Sequence, residues 1–188
     1  TNISSGAVIN GAYSDAGGNN YILKGNVNSD AGIINLDNAT HGKYNDVLTI
    51  NGNYTGSNGA QVKMNTLWNA PGDAAITVAE GSADSESDVL HITGTASGAT
   101  IVNPIASDGT TSIIDGSVQQ IASVINTVPV VIVDGANDAG TFTGTAQTTG
   151  AAQVQLTSRA VANGREYYWT MDAVTTPVDP VDPVDPVD

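Results

Sequence analysis

Cysteine is absent from this 188-residue sequence, so neither a disulfide framework nor a thiolate metal site exists. Basic residues are scarce: five Lys plus Arg stand against nineteen Asp plus Glu, a formal net charge of −14. That field repels phosphate backbones and anionic membranes, which argues against a nucleic-acid partner. It favours solubility and attracts cationic partners. No run of about eighteen apolar residues occurs, so no transmembrane helix is encoded. Apolar residues at helical spacing are missing too, apart from one weak stretch near Ser117–Ile125, which argues against a helical core. The chain opens at Thr1-Asn2-Ile3 with no Met and no signal peptide, and it reads as a piece of a longer protein.

What is present is Gly, Asn, Thr, Ser, Ala and Val, with charged residues at only 13%. Short strand-like runs fall at Ala7–Asn10, Tyr21–Lys24, Ile33–Leu36, Val47–Ile50, Val62–Leu67, Ala75–Ala79, Val89–Ile92 and Thr100–Asn103. Between them lie Asp15–Asn20, Asp37–Gly42, Asn51–Gly59, Asn69–Asp73 and Glu80–Ser87, whose Gly, Asn, Asp, Pro and Ser favour turns. The pattern predicts an all-β chain.

Two stretches carry the same wording. Asp46-Val47-Leu48-Thr49-Ile50-Asn51-Gly52 and Asp88-Val89-Leu90-His91-Ile92-Thr93-Gly94 each place an Asp before a short strand and a Gly after it. A further strand-like run follows each copy. Alternation puts Leu48 with Ile50, and Leu90 with Ile92, on the inward face, and Thr49 and His91 outward. The two Asp residues are 42 positions apart, which is read as two turns of a ~20-residue repeat. From Ile105 the pattern changes. Pro129–Val133 is a continuous apolar run typical of a strand buried on both faces. Phe142, Val154–Leu156 and Tyr167–Met171 follow as expected antiparallel strands, and Tyr167, Tyr168 and Trp169 would seal the end of an open core. The tail from Thr176 repeats Pro-Val-Asp, which favours an extended spacer.

Chemistry is sparse. His41 and His91 are the only histidines; His41 falls in a turn and His91 on the outward side of a strand. A Ser-His-Asp set with Asp46 or Asp88 lacks a Gly-x-Ser-x-Gly elbow. Asp84, Glu86 and Asp88 put three carboxylates in five residues, the donor type calcium takes, yet the EF-hand pattern fails. A solvated loop whose last Asp starts a strand is the cheaper reading. Sugar cleavage needs clustered carboxylates beside basic groups, whereas Lys24, Lys43, Lys63, Arg159 and Arg165 are scattered and Asp134 and Asp138 bracket a turn. Glycosylation sequons at Asn2, Asn38 and Asn53 are the chance matches expected of an Asn- and Thr-rich chain.

In this order the repeated Asp-Val-Leu-x-Ile-x-Gly stretches, Pro129–Val133, Phe142, Tyr167-Tyr168-Trp169 and the Pro-rich tail resemble the C-terminal passenger (autochaperone, pertactin-like) region of a Gram-negative type V autotransporter. The resemblance implies a right-handed parallel β-helix, a three-sided solenoid, with a C-terminal hairpin-type cap. Its implied parts are β-helix rungs over 1–105, last rungs and cap over 106–174, and a linker over 175–188 toward an outer-membrane barrel. The implied function is a non-catalytic stem of a surface adhesin that nucleates folding of the upstream passenger. Its partners would be those upstream rungs and the barrel, its location the bacterial cell surface, and no cofactor or metal is expected. The alternative is a binding module for host glycan or matrix, or one that self-associates. The residues that would carry the role are Leu48, Ile50, Leu90 and Ile92 in the core and Phe142, Tyr167, Tyr168 and Trp169 in the cap.

Overall fold

A computed structural model describes residues 1–11, 16–69, 85–116, 124–125 and 128–171, and every regular element among them is a strand. A seven-stranded sheet contains β1 (Asn2–Ile3), β2 (Val8–Asn10), β4 (Val27–Asp30), β5 (Ile33–Asn35), β7 (Tyr54–Met64), β11 (Ala96–Pro104) and β15 (Phe142–Thr143). All of its pairings are parallel. A nine-stranded sheet runs, in spatial order, through β12 (Ile113–Ile114), β16 (Thr145–Thr148), β17 (Gln153–Val161), β18 (Gly164–Met171), β14 (Val131–Val133), β10 (Val89–Ile92), β6 (Val47–Asn51) and β3 (Asn20–Lys24). Its ninth member, β13 (Val124–Ile125), pairs with β18. A separate antiparallel pair joins β8 (Thr66–Leu67) to β9 (Glu86–Ser87).

The period-two alternation sends one side chain in two toward a common interior. On the larger sheet, register stacks Tyr21, Leu48, Leu90 and Val131 in one row and Leu23, Ile50, Ile92 and Val133 in the next. Leu48, Ile50, Leu90 and Ile92 are 0–1% exposed. The parallel sheet contributes Val27, Tyr54 and Ala96 in one row and Ile34, Val62 and Val102 in another. Both sheets feed a single hydrophobic cluster. Each fully buried aliphatic side chain there contributes roughly 1.5–3 kcal/mol.

The expectation of a right-handed, three-sided parallel β-helix is overturned. The nine-stranded sheet is mixed and curls into a half-barrel. Its β3, β6, β10 and β14 are parallel, but β14, β18, β17 and β16 alternate in direction. A third stack of parallel strands is also missing among the described residues; the β8–β9 pair is antiparallel, with one isolated parallel bridge from Leu67 to Asp115. The reason is connection length. Parallel neighbours need a crossover of a dozen or more residues. Only 149–152 separate β16 from β17, and only 162–163 separate β17 from β18, so those strands fold back as hairpins.

The spacing of the repeat is corrected as well. Val47 pairs directly with Val89 and Leu48 with Leu90, so the 42-residue step from Asp46 to Asp88 is one circuit and not two. Asn51–Gly59, expected as a turn, belongs mostly to β7. Its Gly56 serves close approach: a Cβ there would lie 2.0 Å from Thr100 Oγ1 of the neighbouring strand β11. The strand β4 was hidden because its sequence, Val-Asn-Ser-Asp, is polar at three of four positions. Phe142 lies on a strand parallel to β11, not an antiparallel one. The expected strand at Ala75–Ala79, most of the weak helical stretch at Ser117–Ile125, and the Pro-Val-Asp tail lie outside the described residues; Val124 and Ile125 are strand.

Candidate functional site

The strands of the larger sheet that run parallel carry one eight-residue pattern four times. The copies are Asn19–Asn26, Asp46–Asn53, Asp88–Thr95 and Pro129–Ala136, aligned by the observed register. Position seven is Gly25, Gly52, Gly94 and Gly135. These corners touch backbone to backbone: a Cβ on Gly52 would lie 2.5 Å from the Gly25 carbonyl carbon, and one on Gly135 would lie 2.6 Å from the Gly94 carbonyl oxygen. Only the second and third copies announced themselves in the sequence. The first has Tyr-Ile-Leu and the fourth Val-Ile-Val in place of Leu-x-Ile, and the shared signal was the glycine.

Position one ties the layers together. The Asn19 backbone N–H donates to Asp46 Oδ1 at 2.9 Å, and the Asp46 N–H donates to Asp88 Oδ1 at 3.0 Å. Asp88 Oδ2 accepts the Asn65 N–H at 2.7 Å. In the fourth copy this position is Pro129, which has neither a carboxylate to accept nor an N–H to give, and the Asp88 N–H turns instead to the Asn65 carbonyl at 2.9 Å. The ladder stops there. Position eight runs the other way: the Asn53 N–H donates to Asn26 Oδ1, and the Thr95 N–H to Asn53 Oδ1, each at 2.9 Å.

Asp46 and Asp88 are both fully buried. Burial pushes the Asp88 carboxyl up to about 8; the two backbone N–H donors oppose it, and the charges of Asp46 and Asp37 reinforce it. Asp46 Oδ2 has no hydrogen-bond partner among the described residues. Beside this pair, Asn65 Nδ2 donates to Asp37 Oδ1 at 2.9 Å and to the Ile105 carbonyl at 3.0 Å. Asp37 in turn holds His41 Nδ1 at 2.8 and 2.9 Å.

Among the described residues neither histidine meets a nucleophile. His41 is on Asp37, not on Asp46 or Asp88, and Ser107 Oγ donates to Asp115 Oδ1 at 3.1 Å. Asp115 also accepts from Tyr44 Oη at 2.8 Å, and burial together with that bond raises the tyrosine hydroxyl. His91 Nε2 stands 2.9 Å from Asp134 Oδ2 on the outer face. The three-carboxylate loop does not converge either: Asp84 lies outside the described residues, Glu86 is exposed and accepts from Asn45 Nδ2, and Asp88 is spent on backbone N–H groups. Among the described residues no three His, Asp or Glu side chains group as a metal site would require. A shallow depression of about 440 Å³ lies between Asp108, Asp115, Thr110, Gln147 and Thr149.

No protein-family model matches the chain, and no curated protein matches it.

At the other end sits an aromatic group. Phe142 stacks on Tyr54 with ring centroids 5.6 Å apart and meets Tyr167 edge-on at 5.2 Å. Tyr167 and Trp169 are 0% exposed and Phe142 1%. Tyr167 Oη donates to the Asp138 carbonyl and Asn137 Oδ1, both at 2.6 Å. Tyr168, on the opposite face of β18, is half-buried beneath the Arg159 guanidinium at 5.6 Å. The expected aromatic group thus divides, with Phe142, Tyr167 and Trp169 inside and Tyr168 outside.

Proposed function

We propose that this chain is a non-catalytic stem of a surface-displayed bacterial protein, on which the polypeptide preceding it folds. The observation that carries this reading is the difference between the two ends. One end is covered by the antiparallel strands β16–β18, which bury Tyr167 and Trp169 over the last parallel layer. At the other, β1, β2 and β3 have no outer strand neighbour among the described residues. A finished end beside an unfinished one suits growth in one direction, because each added strand meets a preformed edge and escapes a new nucleation step. The resemblance to an autotransporter passenger supplies the cellular setting: export, display at the outer membrane, and a barrel in the same protein.

The test is display of the full-length protein carrying Tyr167→Ala together with Trp169→Ala, with barrel assembly followed in the same cells. A protease-sensitive passenger above an intact barrel is the expected result. A passenger that is folded and protease-resistant would defeat the templating role.

A glycan- or matrix-binding face is the second reading. It draws on the amide and hydroxyl rows outside the parallel sheet. Those groups are largely engaged with one another: Asn28 Nδ2 donates to Asn2 Oδ1 at 3.1 Å, and the Thr55 and Ser97 hydroxyls lie 3.2 Å apart. Donors spent across layers favour a scaffold over a receptor.

A further inference from the structure

The edge formed by β3 specifies what can be added to it. In a parallel pair, alternate residues of a strand turn their N–H and C=O groups to one neighbour and the residues between turn theirs to the other. The Gly25 N–H donates to the Asn51 carbonyl, and the Val47 N–H to the Asn19 carbonyl. Odd-numbered residues of β3 therefore face β6. By the same alternation Asn20, Ile22 and Lys24 direct their backbone groups to the open side.

The side-chain ladders end at the same place. Asn26 Oδ1 accepts from the layer after it, but the Asn26 N–H has no acceptor of the kind that Asn26 gives Asn53 and Asn53 gives Thr95. Asn19 stands where Asp46 and Asp88 each accept an N–H from the layer before them. At the corner, a Cβ on Gly52, Gly94 or Gly135 would strike the glycine of the layer before it, whereas one on Gly25 would point into the space an added layer would take.

We infer that the β3 edge is a sequence-selective docking site for one parallel strand with the pattern x-x-apolar-x-apolar-x-x-Asn. The missing Cβ of Gly25 lets the added corner close on it, as the missing Cβ of Gly52 lets Gly25 approach. The Asn at position eight accepts the Asn26 N–H, and the two apolar residues extend the rows that begin at Tyr21 and Leu23. The occupant is a segment of the same polypeptide ahead of Thr1. This deepens the stem reading above and rests on it.

The experiment adds one further copy of residues 27–53 directly ahead of Thr1 in the otherwise unchanged chain. That placement sets the added octad one circuit before Asn19, close to the 27-residue step from Asn19 to Asp46. Amide hydrogen exchange at Asn20, Ile22 and Lys24 is the readout. The expected result is slowing of about tenfold or more at these three amides. A second graft carries Leu48→Asp, Ile50→Asp and Asn53→Ala in the added copy only, and is expected to leave the three amides at the rate of the ungrafted chain. The original residues are untouched in both, so the host fold remains as a reference. Equal protection by both grafts would overturn the sequence rule while leaving the stem reading in place. No protection by either would overturn the docking site and the templating edge together.

Discussion

Asp88 holds a carboxyl group with no solvent exposure between two backbone N–H donors, and burial drives its pKa up to about 8. The folded state therefore binds a proton more tightly than the unfolded chain does. The stabilisation is fully present below the ordinary aspartate value of 3.8 and is lost as pH rises through about 8. Thermal unfolding should show a midpoint that falls from pH 5 to pH 9. Asp88→Asn should lower the midpoint at pH 5, since an amide cannot accept both N–H groups, and should flatten the decline. A decline of unchanged slope in Asp88→Asn would place the titrating group elsewhere. At the interior positions, Leu90→Asp buries a charge without a partner and should prevent folding, whereas His91→Ala removes only a half-exposed contact to Asp134 and should change stability by less than about 0.5 kcal/mol. Circular dichroism with a denaturant titration distinguishes the two.

Among the elements, the corners and the covering hairpin carry separate burdens. Gly94→Ala forces a methyl group toward Gly52 and Asn53, where a Cβ would come within 2.2 Å of Asn53 Oδ1; overpacking of this kind costs about 1–3 kcal/mol. Gly140, with nothing within 4 Å of an added Cβ, is the matched control and should tolerate alanine. In β18, Trp169→Ala empties a fully buried site and should cost about 3–5 kcal/mol, whereas Tyr168→Ala should cost far less. Equal losses for the two would contradict their opposite faces. These elements also mark what the sequence could disclose. Val47–Ile50 and Val89–Ile92 were legible because strict alternation with a flanking Asp and Gly leaves one register. β4 and the first half of β7 were not. Their inward positions are filled by Val27, Ser29, Tyr54 and Gly56, and the outward ones by Asn, Asp, Thr and Ser, so polarity does not separate strand from turn. The Asp ladder escaped notice for a different reason: the partner of each carboxylate is a backbone N–H one circuit away, and no side-chain pattern records it.

Taken as a whole molecule, the chain resolves the question of circuit length through contacts that local spacing could not supply. Asn19 to Asp46 is 27 residues and Asp46 to Asp88 is 42, yet both steps end in the same parallel register. A fixed period was the wrong thing to seek. What recurs is the octad, and the stretch between octads varies in length at small cost, since closing a longer loop adds only about 0.6 kcal/mol per doubling. The direction reversal after β14 was legible at Val154–Leu156 and Tyr167–Met171, expected as antiparallel strands and found so in β17 and β18; only Phe142 was assigned to it wrongly.

The two ends of the sheets also govern assembly. At the covered end the edge strands β12 and β15 are two residues each, too short to recruit a partner, whereas β3 is five residues long. A fibre needs two complementary surfaces on every subunit, one to give and one to receive. With receptive edges at one end only among the described residues, copies cannot join head to tail, and a contact between two such ends is consumed when it forms. Sedimentation of the concentrated protein should therefore reach a dimer and no further. Opening the covered end by truncating β16–β18 would expose a second edge, and the same sequence would then be free to grow into filaments.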